Sequence, residues 1–223
     1  MTSISLGLPA ALQITIEVGV FAVATALIAR LNPVSLAAHQ IALNAASVTF
    51  MIPLGVGSAG AVRVGQAIGR RDPAAAGRSG WTAIGIGATF MFCAGLVFLF
   101  APRYVVALFT SDAAVLKAGV SILSVAAFFQ LFDGIQGVAT GVLRGSGDTR
   151  TPMLCHLAGY WLIGLPLGYF LCFNQSWGAA GLWIGLCVAL ILIGSVLLGV
   201  WSRAVRRLTS RVDCTPSFRH ASS

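Results

Sequence analysis

The stretch that decides the fold is residues 8–31, LPAALQITIEVGVFAVATALIARL, an apolar run with Glu17 near its middle. About 20 consecutive apolar residues are enough to cross a bilayer as a helix. Apart from Glu17, the first charged residue in the run is Arg30. A charged side chain at the centre of a membrane helix costs at least ~2.5–3.5 kcal/mol, so it usually faces a cavity or a partner. We therefore predict that Glu17 has a function inside a membrane protein.

A second carboxylate has the same kind of surroundings. Asp133 lies in the apolar stretch 118–143 and is the only charged residue there. Acidic side chains inside membrane helices typically mark ion pathways or proton relays. The pair therefore indicates a transporter that handles a cation or a proton.

The composition excludes a soluble domain. Of the 223 residues, 57% are hydrophobic and only 9% are charged, whereas an ordinary globular domain has about 25% charged residues. The formal net charge is +8, but the basic residues stand at the ends of apolar segments. The sequence has no basic stripe with interleaved aromatic residues, which is the pattern that would indicate nucleic-acid binding. We expect membrane lipid, not nucleic acid, to be the partner of these basic residues.

The hydropathy pattern predicts an all-α bundle of six transmembrane helices. Helix caps and breaks are predicted at Asn32-Pro33, at 70–73, at Ser111-Asp112 and at Thr151-Pro152. The polar, basic segment 204–223 is expected to be a disordered cytoplasmic tail, which leaves residues 1–203 as the membrane domain. The six predicted spans are 8–31, 36–68, 81–101, 113–143, 152–173 and 179–201.

Small residues and prolines inside these spans predict how the helices pack. Pro53 and Pro166 fall inside helices and are expected to kink them. Glycines four residues apart let membrane helices approach closely. Such pairs occur at Gly65 and Gly69, Gly137 and Gly141, Gly164 and Gly168, and Gly181 and Gly185.

Three polar stripes at helical spacing predict a cavity. Gln13 and Glu17 share a face of the first helix, and Asp133 and Gln136 share a face of the fourth. A third stripe lies on the second helix. Each stripe suits either a cavity wall or a structural hydrogen-bond network between helices. The predicted cavity-lining residues, besides the two ion-coupling acids, are Gln13, Gln40, Asn44, Ser47 and Gln136.

No pattern of catalytic or metal-binding residues accompanies these stripes. The five cysteines form no Cys-x-x-Cys pair, and no HExxH or G-x-S-x-G motif is present. We therefore expect no enzyme activity, no metal and no cofactor apart from a coupling ion, Na⁺ or H⁺. His39 and His156 are expected to be hydrogen-bonding residues near the ends of spans.

Several motifs in this order resemble the multidrug and toxic compound extrusion (MATE) family. The resemblance covers nearly the whole chain up to the tail. The motifs are Leu8-Pro9 with Gln13, Glu17 and Phe21, then 39–42 (HQIA), 52–55 (IPLG), Arg63-Val64-Gly65 with Gly69, Gln130 with Asp133 and Gln136, and 141–149 (GVLRGSGDT).

The resemblance implies a fold and an activity. Members of this family have twelve membrane helices in two six-helix lobes, and they expel organic cations or drugs in exchange for Na⁺ or H⁺. Residues 1–203 resemble the second lobe, in which Glu17 and Asp133 match acids implicated in cation coupling. Some sodium-coupled members carry a tyrosine where this chain has Phe129, so their cation site is not fully matched.

Two alternatives to an antiporter stay open at the level of sequence. One is a lipid-linked glycan flippase of the same superfamily, and the other is a non-transporting membrane fragment. A flippase typically has a cationic cavity, whereas the stripes here are acidic. For transport, a half-length chain would need a second six-helix lobe or a self-dimer to complete the cavity.

The distribution of basic residues predicts the topology. Ten basic residues, including Arg70, Arg144 and Arg207, fall on one side of the predicted spans, and three, Arg30, Arg103 and Lys117, fall on the other. The positive-inside rule places the first side in the cytoplasm. In the plasma (inner) membrane both termini are then cytoplasmic. A reporter fused after Arg207 should report the cytoplasmic side, and an external signal would reverse the assignment.

Overall fold

The computed structural model describes the backbone of residues 3–213 and the side chains of residues 7–210. Six helices are long and apolar enough to cross a membrane, which confirms the predicted six-helix, all-α membrane fold. None of residues 3–213 lies in a β-strand. The helices are α1 (Ser3–Ala29), α2 (Pro33–Gly69), α3 (Pro73–Phe100), α4 (Pro102–Ala107), α5 (Ala113–Gly145), α6 (Arg150–His156), α7 (Leu165–Tyr169) and α8 (Gly178–Asp213).

Side-chain caps start three of the helices, two at the predicted breaks Asn32-Pro33 and 70–73 and one at the predicted cap Ser111-Asp112. The Asn32 side chain accepts a hydrogen bond from the backbone N–H of Ser35 at 2.7 Å. Asp72 accepts one from Ala75 at 2.8 Å. Each of these caps precedes a proline at the first turn, where a missing N–H costs nothing. Asp112 caps α5 by accepting hydrogen bonds from the backbone N–H groups of Ala114 and Val115.

The predicted cap at Thr151-Pro152 is wrong. Helix α6 begins at Arg150, and the Asp148 carboxylate accepts the hydrogen bond from the Thr151 N–H at 3.0 Å. Aspartate is one of the strongest residues for this role because its oxygen reaches free N–H groups of the first turn. Thr151 therefore lies inside the helix that it was predicted to start.

The fifth span, Arg150–Asn174, is irregular around its proline. Two π-helical segments, Leu157–Gly164 and Phe170–Asn174, flank α7. Pro166 lacks an N–H, and its ring would crowd the carbonyl four residues earlier in a regular α-helix. The widened turn just before it, in which the Leu165 N–H bonds to the Tyr160 carbonyl, provides room for the ring. The expected distortion at Pro166 is thus a change of helix type.

The last helix is longer than predicted. α8 continues to Asp213 and includes residues 204–213, which the sequence analysis assigned to a disordered tail. This stretch holds no glycine or proline, and arginines near a helix C-terminus interact favourably with the helix dipole. The remainder of the predicted tail, residues 214–223, lies outside the described residues.

Close helix contacts at glycines hold neighbouring helices of the bundle together. A Cβ atom added to Gly141 of α5 would lie 2.5 Å from the carbonyl oxygen of Gly57 in α2. In the same way, Gly185 of α8 packs directly against the backbone of Gly168 in the fifth span. The predicted role of Gly141 and Gly185 in close approach is confirmed. Gly69 is different, because nothing lies within 4 Å of a Cβ added there.

Gly141→Ala should destabilise the bundle by about 1–3 kcal/mol, because the added methyl group must push α2 and α5 apart. Gly85→Ala in α3 is the matched control, since an added Cβ there meets nothing within 4 Å. That change should be neutral or stabilising by up to about 1 kcal/mol through helix propensity. Unfolding in mixed micelles measures both. Equal stability of the two variants would show that the α2–α5 contact is not tight.

Candidate functional site

One amide group connects the two predicted acids. Glu17 lies in the middle of α1, while Asp133 and Gln136 lie one turn apart on α5. The side-chain N–H₂ of Gln136 donates to Oδ1 of Asp133 at 3.2 Å and to Oε1 of Glu17 at 3.5 Å. Two carboxyl groups that are distant in sequence therefore share a single hydrogen-bond donor.

The hydrogen bonds continue from Gln136 to the start of the fifth span. Oε1 of Gln136 lies 2.5 Å from Nε2 of His156. The side-chain nitrogen of Gln13 lies 3.4 Å from the same ring nitrogen, and Arg144 donates to Oε1 of Gln13 at 2.8 Å. These contacts join α1, α5 and α6 into one polar network. We call it the acid network; its members are Gln13, Glu17, Asp133, Gln136, Arg144 and His156.

Most of the acid network is shielded from the surroundings. Asp133 is 6% exposed and His156 is fully buried. Glu17 is half-buried and lines two cavities, of about 160 and 310 Å³. Gln136 lines the smaller cavity, and Asp133 lines the larger. Glu17 is thus the acid with the widest access to both cavities.

The other predicted cavity residues divide into two groups. Gln13 lines the smaller cavity and Ser47 lines the larger one, beside Glu17 in each case. Gln40 and Asn44 are exposed on α2 and line neither of these two cavities. Their assignment to a cavity wall stays a prediction, since a wall at that face would need a further protein surface opposite it.

Aromatic side chains surround the acid network on the side of Phe129. The Phe129 ring packs against Trp183, with centroids 5.3 Å apart, and against Phe21 at 6.2 Å. Phe21 in turn contacts Tyr160. A phenylalanine supplies no oxygen, so position 129 contributes an apolar wall to the larger cavity and no ligand.

His39 illustrates a buried histidine with a structural role. The Trp183 indole donates to Nδ1 of His39 at 3.1 Å, which places the ring proton on Nε2. That nitrogen lies 2.9 Å from the Thr25 hydroxyl, which itself donates to the Phe21 carbonyl at 2.8 Å. Each donor in this series of hydrogen bonds, from Trp183 through His39 and Thr25 to Phe21, has one acceptor. His39 is hydrogen-bonded as predicted, but it lies in the interior, where it ties α1, α2 and α8 together.

Sequence reasoning missed the roles of Arg144 and His156. The sequence places Arg144 among the basic residues of the cytoplasmic side, and His156 near the end of a span. Arg144 contacts Gln13, which is more than 100 positions away, and His156 contacts Gln136 in a different helix. No local spacing in the sequence reveals either contact. The one available signal was His156 itself, a polar side chain within an otherwise apolar span.

Comparison with known proteins then assigns the family. The family model described as MatE matches residues 9–170. The chain belongs to the MatE family. It is 40% identical over 210 residues to the probable multidrug resistance protein NorM of Brucella suis biovar 1 (strain 1330), a match that covers 92% of this chain and 45% of that protein. It is 44% identical over 199 residues to the multidrug resistance protein NorM of Burkholderia vietnamiensis, which covers 87% and 43%.

Solved structures agree with this assignment. The crystal structure of the eukaryotic MATE transporter AtDTX14 superposes with a TM-score of 0.82 at 27% identity, over 94% of this chain and 48% of that one. The chain therefore spans about half the length of the relatives it matches. MatE proteins are transporters, so the chain belongs to a family of membrane transporters and not to an enzyme class.

Glu17 should react faster than Asp133 with a hydrophobic carbodiimide, because Glu17 lines both cavities while Asp133 is 6% exposed. Peptide mass spectrometry after timed labelling measures the two rates. Glu17→Gln should remove the fast-labelled site. Equal labelling of both acids in the unmodified protein would contradict the difference in access.

Proposed function

We propose that this chain is the second six-helix lobe of a cation-coupled antiporter that expels organic cations or drugs in exchange for Na⁺ or H⁺. The observation that carries the proposal is the Glu17–Asp133 pair, held by one amide beside two cavities. The names of the NorM relatives, which are multidrug resistance proteins, support an efflux role.

The chemistry of the pair provides the coupling. Two carboxyl groups that are close together and shielded from water are stable only when a cation or a proton neutralises part of their charge. An incoming organic cation supplies the same positive charge, so that it competes with the coupling ion for the pair. Exchange of one for the other is then the elementary step of antiport.

The charge of the larger cavity favours cationic cargo over a lipid-linked glycan. Glu17 and Asp133 line the larger cavity, and its remaining lining residues are apolar or neutral, such as Phe21, Ser47 and Met51. A lining of one sign concentrates ligands of the opposite sign. Aromatic rings at Phe21, Phe50 and Phe129 suit a flat organic cation, which binds to the faces of such rings.

A second lobe completes the transporter in this proposal. Gln40, Asn44 and Ser47 expose polar groups on the same face of α2, within a helix that is long and apolar enough to cross a membrane. Facing lipid, such groups would lack partners for their hydrogen bonds. Alternating access generally works by rocking one repeat against another around a shared site. We place the transporter in the plasma (inner) membrane with both termini in the cytoplasm, and a self-dimer is the alternative to a distinct second lobe.

Glu17→Gln in the complete transporter should reduce cation-driven efflux at least ~10-fold, because the amide keeps the shape of the side chain but cannot release a cation or proton. Vesicles with an imposed Na⁺ or H⁺ gradient and a fluorescent organic cation provide the assay. Asp72→Asn is the matched control, since it removes a carboxylate outside the site and asparagine caps a helix equally well. Normal coupled efflux by Glu17→Gln, at wild-type protein levels, would refute the proposal.

A further inference from the structure

His156 occupies an unusual position in the acid network. Its Nδ1 lies 2.7 Å from the carbonyl oxygen of Pro152, an acceptor, so Nδ1 carries a proton. Its Nε2 lies 2.5 Å from Oε1 of Gln136, a second acceptor, and 3.4 Å from the side-chain nitrogen of Gln13, a donor. Because Arg144 holds Oε1 of Gln13, the N–H₂ group of Gln13 faces the ring.

Nε2 of His156 is therefore contacted by one group that requires a proton on it and one that requires a lone pair. A neutral ring accepts from Gln13, while a protonated ring donates to Gln136. His39 differs, because a single neutral tautomer satisfies the hydrogen bonds of both its partners, Trp183 and Thr25. The surroundings of His156 thus suit two protonation states.

We propose that His156 exchanges one proton with the Glu17–Asp133 pair, and that the Gln136 side chain rotates to match the position of that proton. This inference rests on the proposed antiport and makes H⁺ its coupling ion. It assigns His156 and Gln136 to the coupling machinery, in addition to the two acids.

The two states contain the same number of protons. In the first, His156 is an imidazolium that donates to Pro152 and to Oε1 of Gln136, and the amide N–H₂ donates to both carboxylates. In the second, the proton has left Nε2 and sits on the carboxyl group of Glu17 or Asp133. The Gln136 amide is then turned by half a revolution, accepts from the carboxyl O–H and donates to Nε2.

The groups around His156 allow this exchange. Helix α8, which packs against the fifth span, presents apolar Ile193 next to Gly159. The ring centroids of Tyr160 and His156 are 5.8 Å apart. The titratable or charged groups nearest to His156 are Arg144 from α5 and Tyr160 from its own span, while Glu17 from α1 and Asp133 from α5 are connected to it through Gln136.

The same geometry favours a proton over Na⁺ at the acid pair. Hard cations bind oxygen ligands, but the group that lies between Glu17 and Asp133 is the N–H₂ of Gln136. Position 129, next to the pair, supplies a phenyl ring without an oxygen. A shared proton needs neither a further oxygen ligand nor the space of a bound ion.

Nitrogen-15 NMR of the complete transporter in lipid nanodiscs, with labelled histidine, tests the exchange without a substitution. The ring of His156 is identified by its contact with a ¹³C-labelled proline carbonyl, that of Pro152. Across a pH titration we expect both ring nitrogens of His156 to show the protonated signature while the acids are ionised. His39 is the internal control and should keep a single neutral tautomer.

The double variant Glu17→Gln with Asp133→Asn should lower the protonated fraction of His156 about tenfold or more at the same pH, because it removes both anionic partners. A His156 ring that stays neutral at every pH, or that titrates identically in the double variant, would overturn the inference. Efflux measured on the same transporter separates the two proposals. If the transporter shows cation-driven efflux while His156 stays neutral, the proton exchange is wrong and the proposed antiport stands. If the wild-type transporter shows no efflux, the proposed function itself is wrong.

Discussion

The hydrogen bonds of Gln136 to Glu17 and Asp133 are the interaction on which the rest of the structure depends. Acidic groups in the middle of apolar helices are stable only with partners, since the bilayer offers none. One amide provides that partner to both, so the Gln136 side chain links α1 to α5, while the backbone of α1 packs against α2 and α6. The two cavities that Glu17 lines and the ring of His156 all adjoin this arrangement.

Tight packing between the helices maintains that arrangement. Bilayer helices gain little from burying apolar surface against one another and associate through close van der Waals contact. The contacts at Gly141 and Gly185 let α2 and α8 approach their neighbours at backbone distance. Structural hydrogen bonds around His39 add directional contacts between α1, α2 and α8.

Much of the fold could be predicted from sequence because local chemistry determines it. Apolar runs set the six spans, Asn32 and Asp112 cap their helices, and Glu17 and Asp133 stand out by their charge alone. The site was only partly predictable, because the contacts of His156 and Arg144 depend on which helix faces lie opposite each other. The error at Thr151 arose because neighbouring residues compete as caps. α8 is longer than expected because a polar stretch without glycine or proline can continue a helix.

The central claim is that Glu17 and Asp133 form one site at which the coupling ion and the transported cation replace each other. The most direct measurement is the release of protons, or of isotopic Na⁺, when an organic cation is added to the purified transporter in weakly buffered detergent. The account predicts release in the wild-type protein and its loss when both acids are replaced by their amides. Organic-cation binding without any ion release, or release that persists in the double amide variant, would contradict it.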